Sequence, residues 1–296
     1  MSVRAKLNVV AHPLALVLLL ALTACVANPA GGGIDMGALF NTLKTVKQAV
    51  RPADLQEEEQ IGYATAATLL GAARPINNPA IQRYVNRVGL WVALQSGRPD
   101  LPWHFAVVNS NSIDAFAVPG GYVFITRGLL LHMRSEAELA GALGHEISHV
   151  VLKQQLKALQ HAAQLDLLGQ AVQYELQQQN RSTELFNRVT NATRVLYSRG
   201  LDKQDEFAAD RMGVVLAARA GYDPYGLVAV LQTLESMDPK SGSMQLLLAT
   251  HPAPAARIAL LSVEMHAGHM NRYGHQAEGR RRYLQMMKQL VQSPGT

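Results

Sequence analysis

Seven residues near the middle of the chain, Gly144-His145-Glu146-Ile147-Ser148-His149-Val150, limit what it can fold into more than any others. Two histidines four apart share one face of a helix, so both imidazoles can reach a single ion. Glu146 then stands beside the open position of that ion, where a carboxylate serves as general base. The surroundings predict the helix that this geometry needs. Ser135-Glu136-Ala137-Glu138 has the form of a capping box, and Leu139, Ala142, Leu143, Ile147, Val150 and Val151 fall at helical spacing. Two solvated histidines on a surface helix would show the same spacing, so the reading turns on a third ligand.

Catalytic zinc takes three protein ligands and keeps one position open. A glycine three residues past His149 and a histidine three further on would supply a local third ligand, but Leu152 and Gln155 stand there. A distal acid is the alternative, and Asp205-Glu206-Phe207-Ala208-Ala209-Asp210 offers one. Glu206 and Asp210 are i and i+4 on a predicted helix and face the same way. Glu206 can bind the metal while Asp210 accepts the spare N–H of a ligating histidine and fixes its tautomer. Small Ala208 and Ala209 would let two helices approach. An acidic first turn on a surface helix is the competing reading of the same residues.

The start of the chain does not belong to that core. Arg4 and Lys6 precede an apolar run from Leu14 to Leu22 that is too short to span a bilayer, the pattern of a signal peptide over residues 1–24. Cys25, the only cysteine, follows at once, and a lone thiol makes no disulfide. Leu22-Thr23-Ala24-Cys25 resembles the lipobox of bacterial lipoproteins. That resemblance implies diacylglycerol on the sulfur, cleavage before Cys25 and acylation of the new amino terminus. Val26 in the next position favours the outer membrane. An ordinary signal peptide with an incidental cysteine is the alternative. Removing residues 1–24, which hold two bases and no acid, leaves 25 basic and 22 acidic residues, net +3. No run of Lys and Arg interleaved with aromatics suggests nucleic acid. Arg280-Arg281-Arg282 reads as a solvated helix face.

The rest predicts a mainly α fold with a small mixed β-sheet, of α+β class and zincin type. Residues 25–53 form a Gly/Ala/Pro tether and one amphipathic helix through Leu39, Leu43, Val46 and Val50, and residues 54–296 form the main domain. A helix from Asp54 to about Ala73 opens on Glu57-Glu58-Glu59, read as a solvated cap, and another carries Ile81, Tyr84, Val85, Val88 and Trp91. Three or four strands fall between Trp103 and Thr126, the last leading into the HExxH helix. Beyond Leu129 the pattern is helical, including the Gln-rich stretch 154–179. The chain shows no tandem repeat and no tetratricopeptide-like tail.

Asp114-Ala115-Phe116-Ala117-Val118-Pro119-Gly120-Gly121, His145-Glu146-Ile147-Ser148-His149, Tyr197-Ser198-Arg199 leading to Glu206 and Asp210, and Thr250-His251-Pro252 follow one another in this order. From about Leu55 to Leu290 the chain resembles CAAX-protease-type zinc metallopeptidases, and within them the soluble periplasmic BepA- and LoiP-like lipoproteins. The resemblance implies a gluzincin with one Zn2+ on His145, His149 and Glu206, and Glu146 as base. It implies that Ala115-Phe116-Ala117 binds substrate backbone as an edge strand, and that unfolded or misassembled envelope proteins are the substrates. It places His251 and Arg257 beside the zinc, either as donors to the oxyanion or, for His251, as a plug on the metal. A chaperone-like assembly factor with latent proteolysis is the alternative function. Asp114 departs from the family's usual Asn. His104, His132, His161, His266, His269 and His275 match no motif.

Overall fold

The computed structural model describes residues 53–161 and 201–292. The expected signal peptide, Cys25, the tether with its amphipathic helix, Tyr197-Ser198-Arg199 and the Gln-rich stretch beyond His161 lie outside the described residues.

Helix α1, Leu55–Ala72, starts on a reciprocal capping box between Asp54 and Glu57. The acid run after it is not wholly a solvated cap, because Glu58 is buried. Its carboxylate takes two hydrogen bonds from Arg98, at 2.7 and 3.0 Å, and pairs with Lys153 at 3.1 Å. Helix α2, Pro79–Ala93, is capped by Asn78 and buries Ile81, Tyr84, Val85 and Val88. Trp91 was expected on that buried stripe and is instead half exposed. Its indole N–H reaches the carbonyl of Ala220 at 2.7 Å, which holds the ring at the rim of the core.

Three strands follow: β1 (His104–Val108), β2 (Ala115–Val118) and β3 (Tyr122–Thr126). Their order is β1-β3-β2, with β1 parallel and β2 antiparallel to β3. Gly120 and Gly121, at φ of 78° and 94°, make the turn between β2 and β3 that a side chain would strain. The outer edge of β1 is occupied by α2. Gln82 exchanges both amide bonds with Val107, at 2.9 and 3.0 Å, and Asn86 does the same with Phe105. These two amides, one helical turn apart, stand in for a neighbouring strand. Strand β2 is the other outer strand of the sheet.

A six-residue helix, α3 (Arg127–His132), comes between β3 and the HExxH helix, where a direct connection was expected. Helix α4, Glu136–Val151, carries the motif and is buried along nearly its whole length. Ser135 caps it by accepting from Glu138 N. The Glu138 carboxylate accepts from Arg134 N at 3.0 Å and from the Ser135 hydroxyl at 3.5 Å rather than from the cap's backbone N–H. Around α4 pack α2, β2, β3, α5 (Lys203–Arg219), α6 (Gly226–Glu235) and α9 (Arg280–Gln292). Helices α7 (Gln245–Thr250) and α8 (Pro254–Ala267) complete the order. Among the described residues no helix is long and apolar enough to cross a membrane.

The N-terminal turn of α4 is fixed by one buried carboxylate. Glu136 accepts from Tyr84 and Tyr222, each at 2.9 Å, and from Arg282, whose Nε lies at 2.5 Å and whose second nitrogen is also in contact. Satisfying a buried carboxylate this fully avoids a desolvation cost of several kcal/mol. Arg282 is therefore not part of a merely solvated face. It ties α9 to α4, and Tyr283 beside it is fully buried with its hydroxyl on Leu130 O at 2.6 Å.

Candidate metal centre

Helices α4 and α5 meet where neither has a side chain. A Cβ on Gly144 would lie 2.8 Å from Gly213 O, and one on Gly213 would lie 2.7 Å from His145 N. Both distances are shorter than carbon can tolerate, so the two glycines set how near the helices come. Ala209 is fully buried, as expected of a small residue between helices, but the tight contact is Gly144 against Gly213 and Ala208 is only partly covered. About one and two turns away from this contact, α5 brings Asp210 and Glu206 to the histidines of α4.

His145, Glu146, His149, Glu206 and Asp210 are all nearly inaccessible to solvent. Nδ1 of His145 stands 2.9 Å from Asp210 Oδ1, and Nδ1 of His149 stands 2.6 Å from Gln154 Oε1. Both partners are acceptors, so each ring carries a proton on Nδ1 and turns Nε2 the other way. Against burial and Arg257, Asp210 and Glu206 raise His145 to about 9, so its Nε2 gives up a second proton to a cation that takes its place. The two Nε2 atoms face each other at 3.1 Å. Glu206 closes the figure, Oε2 lying 3.6 Å from His145 Nε2 and Oε1 lying 3.5 Å from His149 Nε2. Among the described residues its buried Oε2 has no hydrogen-bond partner. His251 Nε2 comes within 3.8 Å of that same oxygen.

Burial pushes His149 down to about 3, with the charge of His145 adding to the fall, and pushes His251 down to about 4. Both rings are neutral at ordinary pH, as ligands must be. Burial also pushes the Glu146 carboxyl up to about 7, against the pull of His145 and Arg257 and with Glu206 adding to the rise. A carboxyl near neutrality can both take up and give back a proton. Asp210 is held well below the usual carboxylate range despite its burial, because Arg257 and His145 sit against it.

The structure brings together almost every residue singled out from the sequence. Ala115, Phe116 and Ala117 line the same cleft as Glu146, His149, Glu206 and His251. Phe116 stacks on Phe124, with centroids 5.1 Å apart, so it is cleft wall and packing at once. Arg257 stands against two of the site residues. Its Nε and a terminal nitrogen lie 2.8 and 2.5 Å from the two oxygens of Asp210, the same terminal nitrogen lies 3.3 Å from His145 Nδ1, and it does not line the cleft. In this position it braces both Asp210 and His145. Cys25 lies outside the described residues.

Gln154 was missed. A helix continuing past Val151 would carry residue 154 about 140° round from His149. The chain breaks instead at Leu152 and Lys153, the latter at φ 56°, and a new helical segment starts at residue 154. That break swings Gln154 back under His149, while its Nε2 donates to the carbonyl and carboxylate of Asp205 at 3.0 and 3.2 Å. Lys153 is held by Glu58, and Arg98 joins Glu58 to the carbonyl of Val150. Only the lone αL residue and the buried ion pair give this away, and neither is visible in a motif.

A metal fits these residues. Ligands held 2.0–2.1 Å from a tetrahedral centre stand about 3.4 Å apart. Four contacts among the nitrogens and oxygens of His145, His149, Glu206 and His251 run from 3.1 to 3.8 Å. Two imidazole nitrogens and an unpartnered carboxylate oxygen around one point form a donor set that suits zinc.

Such a centre on a small mixed sheet and packed helices is that of a zincin-like metallopeptidase. Residues 79–264 match Peptidase family M48, and the chain belongs to that family. It is 30% identical over 209 residues to the beta-barrel assembly-enhancing protease of Escherichia coli (strain K12), a match covering 69% of this chain and 42% of that protein. It is 28% identical over 179 residues to the mitochondrial metalloendopeptidase OMA1 of Schizosaccharomyces pombe, covering 59% and 50%. Against the Bos taurus metalloendopeptidase OMA1, mitochondrial, the figures are 32% over 183 residues, 54% and 32%. The chain thus spans about half or less of the length of these relatives.

Proposed function

We propose that this chain is a zinc metalloendopeptidase of the bacterial envelope that cleaves unfolded or misassembled proteins. The observation that carries the reading is the pair of imidazoles, oriented by Asp210 and Gln154, that turn their two Nε2 atoms toward the unpartnered Glu206 oxygen. His145, His149 and Glu206 hold the metal. When bound, zinc supplies Lewis acidity that lowers the pKa of a water to about 7. Glu146 Oε1, 4.0 Å from His145 Nε2, takes the proton of the attacking water and returns it to the leaving nitrogen. Strand β2 lines the cleft, and extended substrate lies along it, which favours chains without fixed structure.

Purified protein should hydrolyse casein, and Glu146→Gln should lower turnover by about 10²–10⁴-fold with zinc retained. The rate should fall as pH drops through about 7, since Glu146 acts only when ionised and a cation beside it holds the limb no higher than this. Casein turnover by Glu146→Gln equal to wild type would remove the assignment of the base.

The name of the Escherichia coli relative supports an envelope setting, with outer-membrane proteins as substrates. Cys25 is proposed as a lipid anchor on the periplasmic face of the outer membrane. Mass spectrometry of the mature chain should find an amino-terminal Cys25 bearing a diacylglycerol and an amide-linked acyl group. An unmodified Cys25 would overturn it. Two or three acyl chains hold a protein far more firmly than one, so membrane fractionation should agree.

A further inference from the structure

Helices α2 and α9 carry the same pattern on the sides that they turn away from the core. Arg83, Arg87, Leu90 and Leu94 fall at i, i+4, i+7 and i+11 along α2 and its C-cap, one stripe of a helix, and all four are exposed. Arg281, Leu284, Lys288 and Val291 of α9 fall at i, i+3, i+7 and i+10 and form a second exposed stripe. Neither helix contains an acid. The nearest acids along the chain, Asp100 and Glu278, stand in the loops after α2 and before α9. Buried contacts make the two helices neighbours. The rings of Tyr84 and Tyr283 lie 6.3 Å apart, and Tyr84 and Arg282 both end on Glu136. The stripes therefore belong to one side of the molecule.

Leu90, Trp91, Leu94, Leu284 and Val291 are 40–63% exposed, and on two adjoining helices they are not the single scattered apolar residues of an ordinary surface. What these side chains lack gives the chemistry of the group that covers them. Trp91 has one donor, and it is spent on Ala220 O at 2.7 Å, so the outward edge of the ring asks for hydrocarbon alone. The arginine and lysine stems lie over the apolar side chains while their charged ends reach outward for anions. A layer that offers hydrocarbon and a field of anions together is an anionic phospholipid surface. Contact there leaves the metal centre accessible. Helix α2 covers the outer edge of β1, whereas β2, which lines the cleft, is the outer strand on the opposite side of the sheet.

We infer that the outer faces of α2 and α9 form a surface that docks the domain on anionic phospholipid, with the cleft turned away from the bilayer. This goes beyond the lipid anchor proposed at Cys25, which would tether the chain without orienting it. It does not depend on the peptidase reading, and no bond is made or broken in the contact.

Trp91 is the reporter, because Trp103, the only other tryptophan, is buried. The purified chain is mixed with vesicles of phosphatidylglycerol or of phosphatidylcholine whose acyl chains are brominated, and tryptophan emission is read. Acyl groups on Cys25 would hold the chain to either vesicle, so quenching rather than binding is the measure. Phosphatidylglycerol should quench and blue-shift the emission, phosphatidylcholine should not, and Trp91→Phe should remove the effect. Arg83→Gln, Arg281→Gln and Lys288→Gln should each lower the equilibrium constant for lying on the lipid by about fivefold. About 1 M salt should abolish the quenching, as should Leu94→Glu. Thermal unfolding of these variants should match wild type, since the side chains are exposed. No quenching by phosphatidylglycerol, equal quenching by both lipids, or quenching that survives the combined loss of the three bases overturns the surface. A dimer in solution that Leu94→Glu dissociates, without quenching, gives the face to a second copy and overturns it as well. Casein turnover takes no part in the readout, so the two readings fail separately.

Discussion

His149→Ala is expected to leave the chain without tightly bound zinc, whereas Asp210→Ala and Gln154→Leu should each keep it and weaken it by about 10–100-fold. The difference follows from what each side chain touches. His149 offers one of the three ligand atoms, and its loss leaves His145 and Glu206 with only His251, at the end of α7, beside them. Asp210 and Gln154 touch only the far nitrogens, at 2.9 and 2.6 Å, and set which tautomer the rings adopt. Without them the rings can rotate or protonate on the wrong nitrogen, and affinity falls without vanishing. Asp210→Ala should be the harsher of the two. It also leaves Arg257 buried with no carboxylate, and breaking a buried pair costs about 3–5 kcal/mol of stability. Gln154→Leu removes a neutral amide and fills its place, so thermal unfolding should shift much less. Metal analysis after dialysis against a competing chelator, with unfolding curves beside it, reads all three. Full zinc on His149→Ala would mean that the ligand set is wrong. Unchanged affinity in both of the other variants would mean that ring orientation is fixed by packing alone.

What the sequence made legible, and what it hid, divides along the reach of the interaction. The i, i+4 pairs His145/His149 and Glu206/Asp210 are properties of single helices, so spacing alone puts each pair on one face. That a small sheet of three or four strands lies there follows from short β-rich runs with Pro and Gly between them, whereas the order β1-β3-β2 does not. Hidden were contacts that need two distant segments at once. Glu58 looks like a helix-cap acid until Arg98 and Lys153 arrive from 40 and 95 residues away. Gln82 and Asn86 look like polar positions on α2 until β1 lies against them. Arg257 was placed near the metal by resemblance, but only the fold reveals that Asp210 takes its donors. Gln154 was hidden for a local reason, since helical continuation past Val151 points it elsewhere.

His251→Ala is expected to raise basal peptide turnover while zinc stays bound. Two uses of this histidine predict opposite signs, and the proton on its ring decides between them. As an oxyanion donor it needs a hydrogen on Nε2, and its loss would lower turnover by about 10²–10³, or 2.7–4 kcal/mol. As a plug it needs a bare Nε2 that can complete four protein ligands and close the open position. Nδ1 lies 2.9 Å from Thr250 Oγ1, and that hydroxyl donates to Leu247 O at 3.3 Å. With its hydrogen on Leu247 O the hydroxyl accepts from the ring, which puts the proton on Nδ1 and leaves Nε2 bare; with its hydrogen on Nδ1 the roles reverse. Burial keeps the ring neutral, which leaves no second proton for Nε2. Nε2 is also within 4.0 Å of Glu146 Oε1, so the ring at rest occupies ground that the attacking water needs. We propose on this placement, within 3.8 Å of Glu206 and 4.0 Å of Glu146, that the ring at rest is a plug whose removal opens the site. Thr250→Val provides the second reading. Without the hydroxyl the ring can carry its proton on either nitrogen, the plug weakens, and turnover should rise less than in His251→Ala. Turnover that falls by 10²–10³ in His251→Ala, with zinc at one per chain, would give the histidine to the oxyanion instead.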